Sequence, residues 1–233
     1  KPQIVQYNLW SQYYSKIGHI DQAYGFVKKA TQEGDNNYSN IALFSSYIKD
    51  TSVIHDYLPL YFQEREDEIA SMLPVLGSSE SDTYLQYGKS DVYSFPEWAS
   101  WNPTDSVSVS IAYDAALLMK GLTLRYNVLT PYFDNHPEMV SAKVELDKMR
   151  DSIYAISDDN ARVLALYQYE LKEREILKEV NEEFTNVHWK DIANNLNKDE
   201  ACVEFVKYTA NSYSWCDSMP KPHYSAMVLL PNG

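Results

Sequence analysis

The spacing of apolar residues changes once along this chain, and that change limits the fold more than any other feature. Before about residue 187, apolar residues recur at intervals of three and four, as they do along helices. Over 201–208 they alternate with polar residues, which is the period of a strand. A short helical turn, 189–196, comes directly before this run. The sequence therefore predicts a mainly α chain in which a helix leads into β structure near the end.

A second alternating run covers 223–230, after a loop rich in Ser and Pro. We expect it to pair antiparallel with the first run. Because two strands alone are only marginally stable, the pair must pack against helices.

Charge and hydropathy argue against a nucleic-acid partner and against a membrane-spanning helix. The chain has 233 residues and a net charge of −13. Residues 1–105 carry 7 basic and 14 acidic residues and 106–233 carry 13 and 19, so neither half is basic. We expect no nucleic-acid partner, because phosphates would be repelled. No apolar run approaches the ~18 residues of a membrane-spanning helix, so we expect no membrane span.

Residues 7–30 fit a template of two helices joined by a turn. Trp10 and Tyr14 recur on the first helix, and Gly18 ends it. Ser11 and Ala23 are small residues where the two helices would cross. This pattern resembles the tetratricopeptide repeat, whose period is about 34 residues. The alternative is an unrelated helical hairpin.

A weaker copy of this pattern follows 34 residues later. Ile41, Phe44, Ser45 and Ile48 take the positions of the first copy, but Tyr57 replaces the small Ala23. We therefore expect 1–73 to form helical hairpins like tetratricopeptide repeats.

The repeat resemblance implies a concave face that holds a protein or peptide partner. Counted from Trp10, its lining positions are Asn8, Gln12 and Lys16, with Lys49 in the second copy. Amide and ammonium groups can hold a peptide backbone or a carboxylate.

Residues 74–106 break the helical spacing with Pro, Gly and Ser, so we predict a linker or a long, partly packed loop. Its aromatic residues Tyr93, Phe95, Trp98 and Trp101 should attach it to a neighbouring helix. The alternative is an aromatic cage for a ligand.

Residues 107–185 predict three helices that connect the repeats to the strands. The first is apolar on nearly all sides and should be central. The second follows Pro137, and the third runs to about Phe184.

Two segments resemble a second family, the caspase-like CHAT domain found behind tetratricopeptide repeats. The matching residues of the first segment are Tyr113, Asp114, Lys120, Gly121 and Leu122. Those of the second are Trp189, Lys190, Asp191, Leu196, Glu200, Ala201, Glu204, Phe205 and Tyr208. The resemblance implies that 186–233 begins an incomplete α/β domain. It also implies a covalently linked cysteine peptidase domain, whose His–Cys dyad would lie beyond Gly233.

No catalytic residue is therefore assigned within this chain, and neither a cofactor nor a metal site is expected. The function predicted is a protein-interaction and scaffold segment that holds or regulates the peptidase. One alternative is a stand-alone thiol hydrolase using Cys216 with His223 or His188, since a thiol and an imidazole can form an activated nucleophile. Another is a purely structural helical module. Cys202 and Cys216 could be free thiols or a disulfide. The compartment is left unknown, with the cytoplasm preferred.

Overall fold

A computed structural model describes residues 2–36, 38–72, 84, 92, 94–135, 139–181, 187–209 and 222–231, with side chains omitted for 122–135, 177–181 and 209. Within these ranges the helices are α1 (Pro2–Lys16), α2 (Ile20–Gln32), α3 (Tyr38–Ile48), α4 (Thr51–Met72), α5 (Ser94–Trp101), α6 (Ser106–Asn135), α7 (Val140–Tyr154), α8 (Asp159–Asn181) and α9 (Trp189–Asn195). The strands are β1 (Cys202–Thr209) and β2 (Pro222–Leu229). The chain is mainly α with one antiparallel strand pair, as the sequence predicted.

The first two helices form a hairpin whose crossing depends on small side chains. Ser11 and Ser15 on α1 are buried, as are Ala23 and Ala30 on α2. Gly18 in the turn has a φ of 79°, a left-handed conformation that favours glycine. The small residues predicted at the crossing therefore lie in the interface between the helices.

Two pairs of residues that are 34 positions apart in the two copies of the pattern are buried to a similar degree. Ser11 and Ser45 are both buried, and so are Tyr24 and Leu58, one period apart. Tyr57 does not take the fully buried position of Ala23, but packs against the edge of the core formed by α2 and α3. Two stacked hairpins, α1–α2 and α3–α4, explain this agreement.

Asp50 joins the first hairpin to the second. The Tyr24 hydroxyl on α2 donates to Asp50 Oδ2 at 2.8 Å, and Ser52 Oγ donates to Asp50 Oδ1 at 2.9 Å. Lys28 Nζ lies 3.8 Å from the same carboxylate. The hydrogen bond from Tyr24 is the main reason that the pKa of Asp50 lies below its usual value.

Part of the predicted linker, 74–106, is a helix. Phe95 and Trp98 on α5 are buried, and their rings contact the ring of Tyr61 on α4 at centroid distances of 5.4 and 5.8 Å. The aromatic residues of this segment thus attach it to a helix, as predicted for Phe95, Trp98 and Trp101. Tyr93 lies outside the described residues. A helix forms despite Pro96 because proline is tolerated in the first turn.

The strand pair has one covered face. Val203 pairs with Val228 and Phe205 with Ala226 in an antiparallel register. Val206, Tyr208, Met227 and Leu229 are buried on one face, and β1 contacts α5. The other face presents Val203, Phe205 and Val228 to solvent.

The chain divides into two compact units. The first comprises 1–65, 90–117 and 187–233, and the second 66–89 and 118–186. In the second unit, α7 and α8 pack through Leu146 and Ile176. The strands therefore belong to the same unit as the hairpins, although 107–185 separates them in sequence.

Removing one hydroxyl tests the contact at Asp50. Tyr24→Phe should lower the free energy of unfolding by about 1–2 kcal/mol at pH 7, because a charged acceptor loses its donor. The folded-state pKa of Asp50 is lowered, so its contribution is present above the unfolded value of about 3.9 and is lost as the pH falls. The gap between the variant and the parent chain should narrow below about pH 4. Urea unfolding at pH 7 and pH 3.5 measures both effects. Tyr154→Phe, on an exposed ring, is the control, and an equal loss there would contradict the assignment.

Candidate functional site

The four predicted binding residues lie in the two hairpins, but they are not equally available. Gln12 and Lys16 are exposed on α1. Asn8 is half-buried, and its Nδ2 donates to Asp35 Oδ2 at 2.9 Å. Lys49 is exposed in the turn after α3, where its φ is 65°. Gln12, Lys16 and Lys49 can therefore meet a partner, whereas Asn8 connects α1 to the turn after α2.

The exposed face of α1 also carries apolar residues that the sequence reasoning missed. Val5, Leu9 and Tyr13 follow one another at intervals of four, and all three are exposed. On a helix that spacing places them on one face with Gln12 and Lys16. The spacing alone could have identified the stripe. We define Val5, Leu9, Gln12, Tyr13 and Lys16 as the α1 face.

A second cluster lies where α6 meets α9. Asp114 Oδ1 accepts a hydrogen bond of 2.6 Å from the backbone N–H of Trp189, the first residue of α9. His188 Nδ1 lies 3.4 Å from Asp114 Oδ2. The backbone N–H of His188 donates to Asp191 Oδ2 at 2.9 Å. Two carboxylates thus occupy the start of α9, where N–H groups lack partners within the helix.

Burial dominates the electrostatics of Asp114. It raises the pKa of the carboxyl, and the hydrogen bond from Trp189 and the neighbouring His188 only partly oppose this. The proton on Asp114 is therefore held more tightly than on an exposed Asp. The sequence marked Asp114 and Trp189 only as members of two separate motifs, and the fold brings them together.

The thiol and imidazole groups of the described residues do not form a nucleophilic pair. Cys202 is a free, half-buried thiol beside the buried Tyr113. Burial, with the thiol and Glu204 nearby, raises the pKa of Tyr113, so the phenol stays protonated. His188 lies against Asp114, and the ring of His223 stacks on Tyr208 at 5.7 Å. Cys216, the predicted nucleophile of the alternative, lies outside the described residues.

A cleft of about 560 Å³ opens beside the start of α6. Its walls include Val107 and Val109 from α6, Trp189 from α9, and Val228 and Leu229 from β2. Asp105, at its edge, accepts hydrogen bonds from His55 Nε2 at 2.7 Å and from the backbone N–H of Ser108 at 2.8 Å. Burial raises the pKa of Asp105, but these bonds outweigh it and the net shift is downward. The cleft can accept an apolar group.

Two kinds of feature are absent from the described part of the chain. No group of three or more His, Cys, Asp or Glu side chains there could hold a metal ion. No helix in those ranges is both long and apolar enough to cross a bilayer.

Comparisons of the chain with protein-family models, with curated proteins and with solved structures found no match.

Replacing Asp114 separates its hydrogen bond from its charge. Asp114→Ala should lower the free energy of unfolding at pH 7 by about 1–3 kcal/mol, because the N–H of Trp189 loses its acceptor. Asp114→Asn keeps an acceptor oxygen and should lower the free energy of unfolding by a smaller amount. The folded-state pKa of Asp114 is raised, so the parent chain loses stability as the pH rises from the unfolded value of about 3.9 through the folded value. The stability of Asp114→Asn should not fall over this pH range, because the amide does not ionise.

Urea unfolding between pH 3.5 and pH 7 measures these differences. Asp199→Asn, at an exposed carboxylate, is the matched control. Equal losses for the Ala and Asn variants at pH 7 would show that the hydrogen bond does not stabilise the fold.

Proposed function

We propose that this chain is a protein-interaction and scaffold segment of a protein that combines tetratricopeptide-like repeats with a caspase-like CHAT peptidase domain. In this proposal the chain itself is not catalytic. Its hairpins bind a protein or peptide partner, and its C-terminal part holds or regulates the peptidase domain that is covalently linked to it.

The observation that carries the proposal is the burial pattern of the two hairpins. Small residues one period apart, Ser11 and Ser45, are both buried. Stacked helical hairpins present extended surfaces, and such surfaces bind other proteins. On the α1 face, an amide and an ammonium group lie beside apolar side chains, which suits peptide recognition.

The contact between α6 and α9 supports the CHAT part of the proposal. The two segments that carry that resemblance are 75 residues apart at Asp114 and Trp189, yet their motif residues share a hydrogen bond of 2.6 Å. Because each motif supplies one partner of this hydrogen bond, the two motifs depend on each other in the fold.

The uncovered face of the strand pair supports a larger sheet-containing domain. Phe205 is 73% exposed, and Val228, on the same face of the pair, is 60% exposed. An apolar sheet face is normally covered by another layer of structure. We propose that the linked peptidase domain supplies this layer.

The other two hypotheses have less support. A thiol hydrolase would need Cys216, which lies outside the described residues, and His188 and His223 contact Asp114 and Tyr208. A purely structural module would not explain why apolar and polar groups combine on the exposed α1 face.

Charge reversal on the hairpins tests the partner site. Lys16→Glu combined with Lys49→Glu should weaken binding of an unstructured Asp- and Glu-rich peptide at least tenfold, because attraction becomes repulsion. Fluorescence anisotropy at ~50 mM salt, where screening is weak, measures the affinity. Lys198→Glu, in the exposed turn before β1, makes the charge change of one of these two substitutions and should have little effect. Equal weakening by all three substitutions would indicate a nonspecific charge effect.

Thiol accessibility tests the proposed cover of the strand pair. In a background of Cys202→Ser and Cys216→Ser, Phe205→Cys should be alkylated quickly in this chain. In a longer polypeptide that includes the peptidase domain, alkylation should be at least tenfold slower, because the covering layer excludes the reagent. Val163→Cys, on an exposed part of α8, should react at the same rate in both. Equal rates at residue 205 would contradict the proposal.

A further inference from the structure

The two hairpins permit a comparison of equivalent surfaces one period apart. Leu9, Gln12 and Tyr13 on α1 correspond to Leu43, Ser46 and Tyr47 on α3. On α3 part of this surface is covered by the chain's own helix α5 and the turn after it, and Tyr47 remains 46% exposed. The Trp101 ring lies perpendicular to the Tyr47 ring at 5.5 Å, and Asn102 Nδ2 donates to the Ser46 carbonyl at 2.9 Å.

The contact on α3 shows which chemistry this kind of surface accepts. Asn102 and Ser46 are both buried, so the hydrogen bond between them is protected from water. An edge-to-face aromatic pair adds a preferred orientation. The occupant of the α3 surface is a short helix with an aromatic residue at its end, followed by an amide donor.

The equivalent surface of α1 is open. Gln12 is exposed, whereas its counterpart Ser46 is fully buried. Beside Gln12, Leu9 is 61% exposed and Tyr13 is 52% exposed. Val5, one turn before Leu9, is 60% exposed. Apolar residues at intervals of four form one continuous stripe along the helix surface.

The charge of α1 indicates which kind of partner helix can bind there. The helix α1 contains none of the 33 acidic residues of the chain, and Lys16 is its only charged residue. An acidic helix would be repelled by most of a molecule whose net charge is −13, but not at this face. The aromatic-bearing α5 itself carries one acidic residue, Glu97.

We infer that the α1 face docks a short helix of a partner protein that carries an aromatic anchor and an acidic residue, as α5 docks on α3. The aromatic ring contacts Tyr13 and Leu9, and the carboxylate pairs with Lys16. This inference rests on the proposed interaction function and names its class of partner.

A peptide with the sequence of residues 94–105, labelled with fluorescein, is the probe. It should bind the chain saturably, and Tyr13→Ala and Leu9→Lys should each weaken binding at least tenfold. Tyr154→Ala removes an even more exposed Tyr ring at a distant position in sequence and should leave the affinity unchanged. A probe with Trp101→Ala should bind at least tenfold more weakly than the parent peptide.

Four outcomes would overturn the inference. The first is no binding up to 1 mM, a limit of about −4.1 kcal/mol. The second is binding that Tyr47→Ala removes and Tyr13→Ala does not, which would show exchange with α5 on α3. The third is equal binding to all variants. The fourth is self-association in sedimentation that Leu9→Lys abolishes, which would make a second copy the occupant.

The Asp- and Glu-rich peptide separates this inference from the function it rests on. If that unstructured peptide binds through Lys16 and the helical probe does not, the helical partner is wrong and the interaction function stands. If neither peptide binds, both proposals fail.

Discussion

Two helices can cross closely only where the side chains between them are small, and the hairpins of this chain depend on that condition. Ser11 and Ala23 fill the first crossing, and Ser45 lies at the equivalent place on α3. A buried hydroxyl is costly without a partner, and Ser45 Oγ donates to the Ala42 carbonyl of its own helix at 3.0 Å. Because Ser11 faces inward, Leu9 and Tyr13 must face outward. The orientation of α1 that places Ser11 at the crossing therefore also exposes Leu9 and Tyr13.

Carboxylates at the starts of helices connect these elements to one another. Asp50, Asp105 and Asp114 each accept a backbone N–H at or near the start of a helix: α4, α6 and α9 respectively. Each also lies beside a side chain from elsewhere in the fold. These partners are Tyr24, His55 and His188. Hydrogen bonds shift the pKa downward at Asp50 and Asp105, whereas burial shifts it upward at Asp114. Part of the acidic composition is therefore structural.

In the first unit, some groups stabilise the fold and others form exposed apolar surfaces. The contacts at Asp50 and Asp114 hold the hairpins, α6 and α9 in place. The α1 face and the uncovered face of the strand pair present apolar side chains that the fold does not use internally. Surfaces of this kind mark interaction sites more often than catalytic ones. These two faces are the surfaces that the proposed scaffold function would use.

The sequence by itself determined the elements whose cause is local. Helical spacing, the small residues Ser11 and Ala23, Gly18 in the turn and the alternation after Glu200 predicted the hairpins and the strand pair, because each follows from neighbouring residues. Tertiary structure alone decided three things. It made α5 a helix within 74–106, because buried aromatic contacts override weak local signals. It joined Asp114 to Trp189 across 75 residues. It also left Asn8 bound to Asp35 and the α1 face open, because exposure depends on which segments return to cover a surface, and spacing along the chain does not specify that.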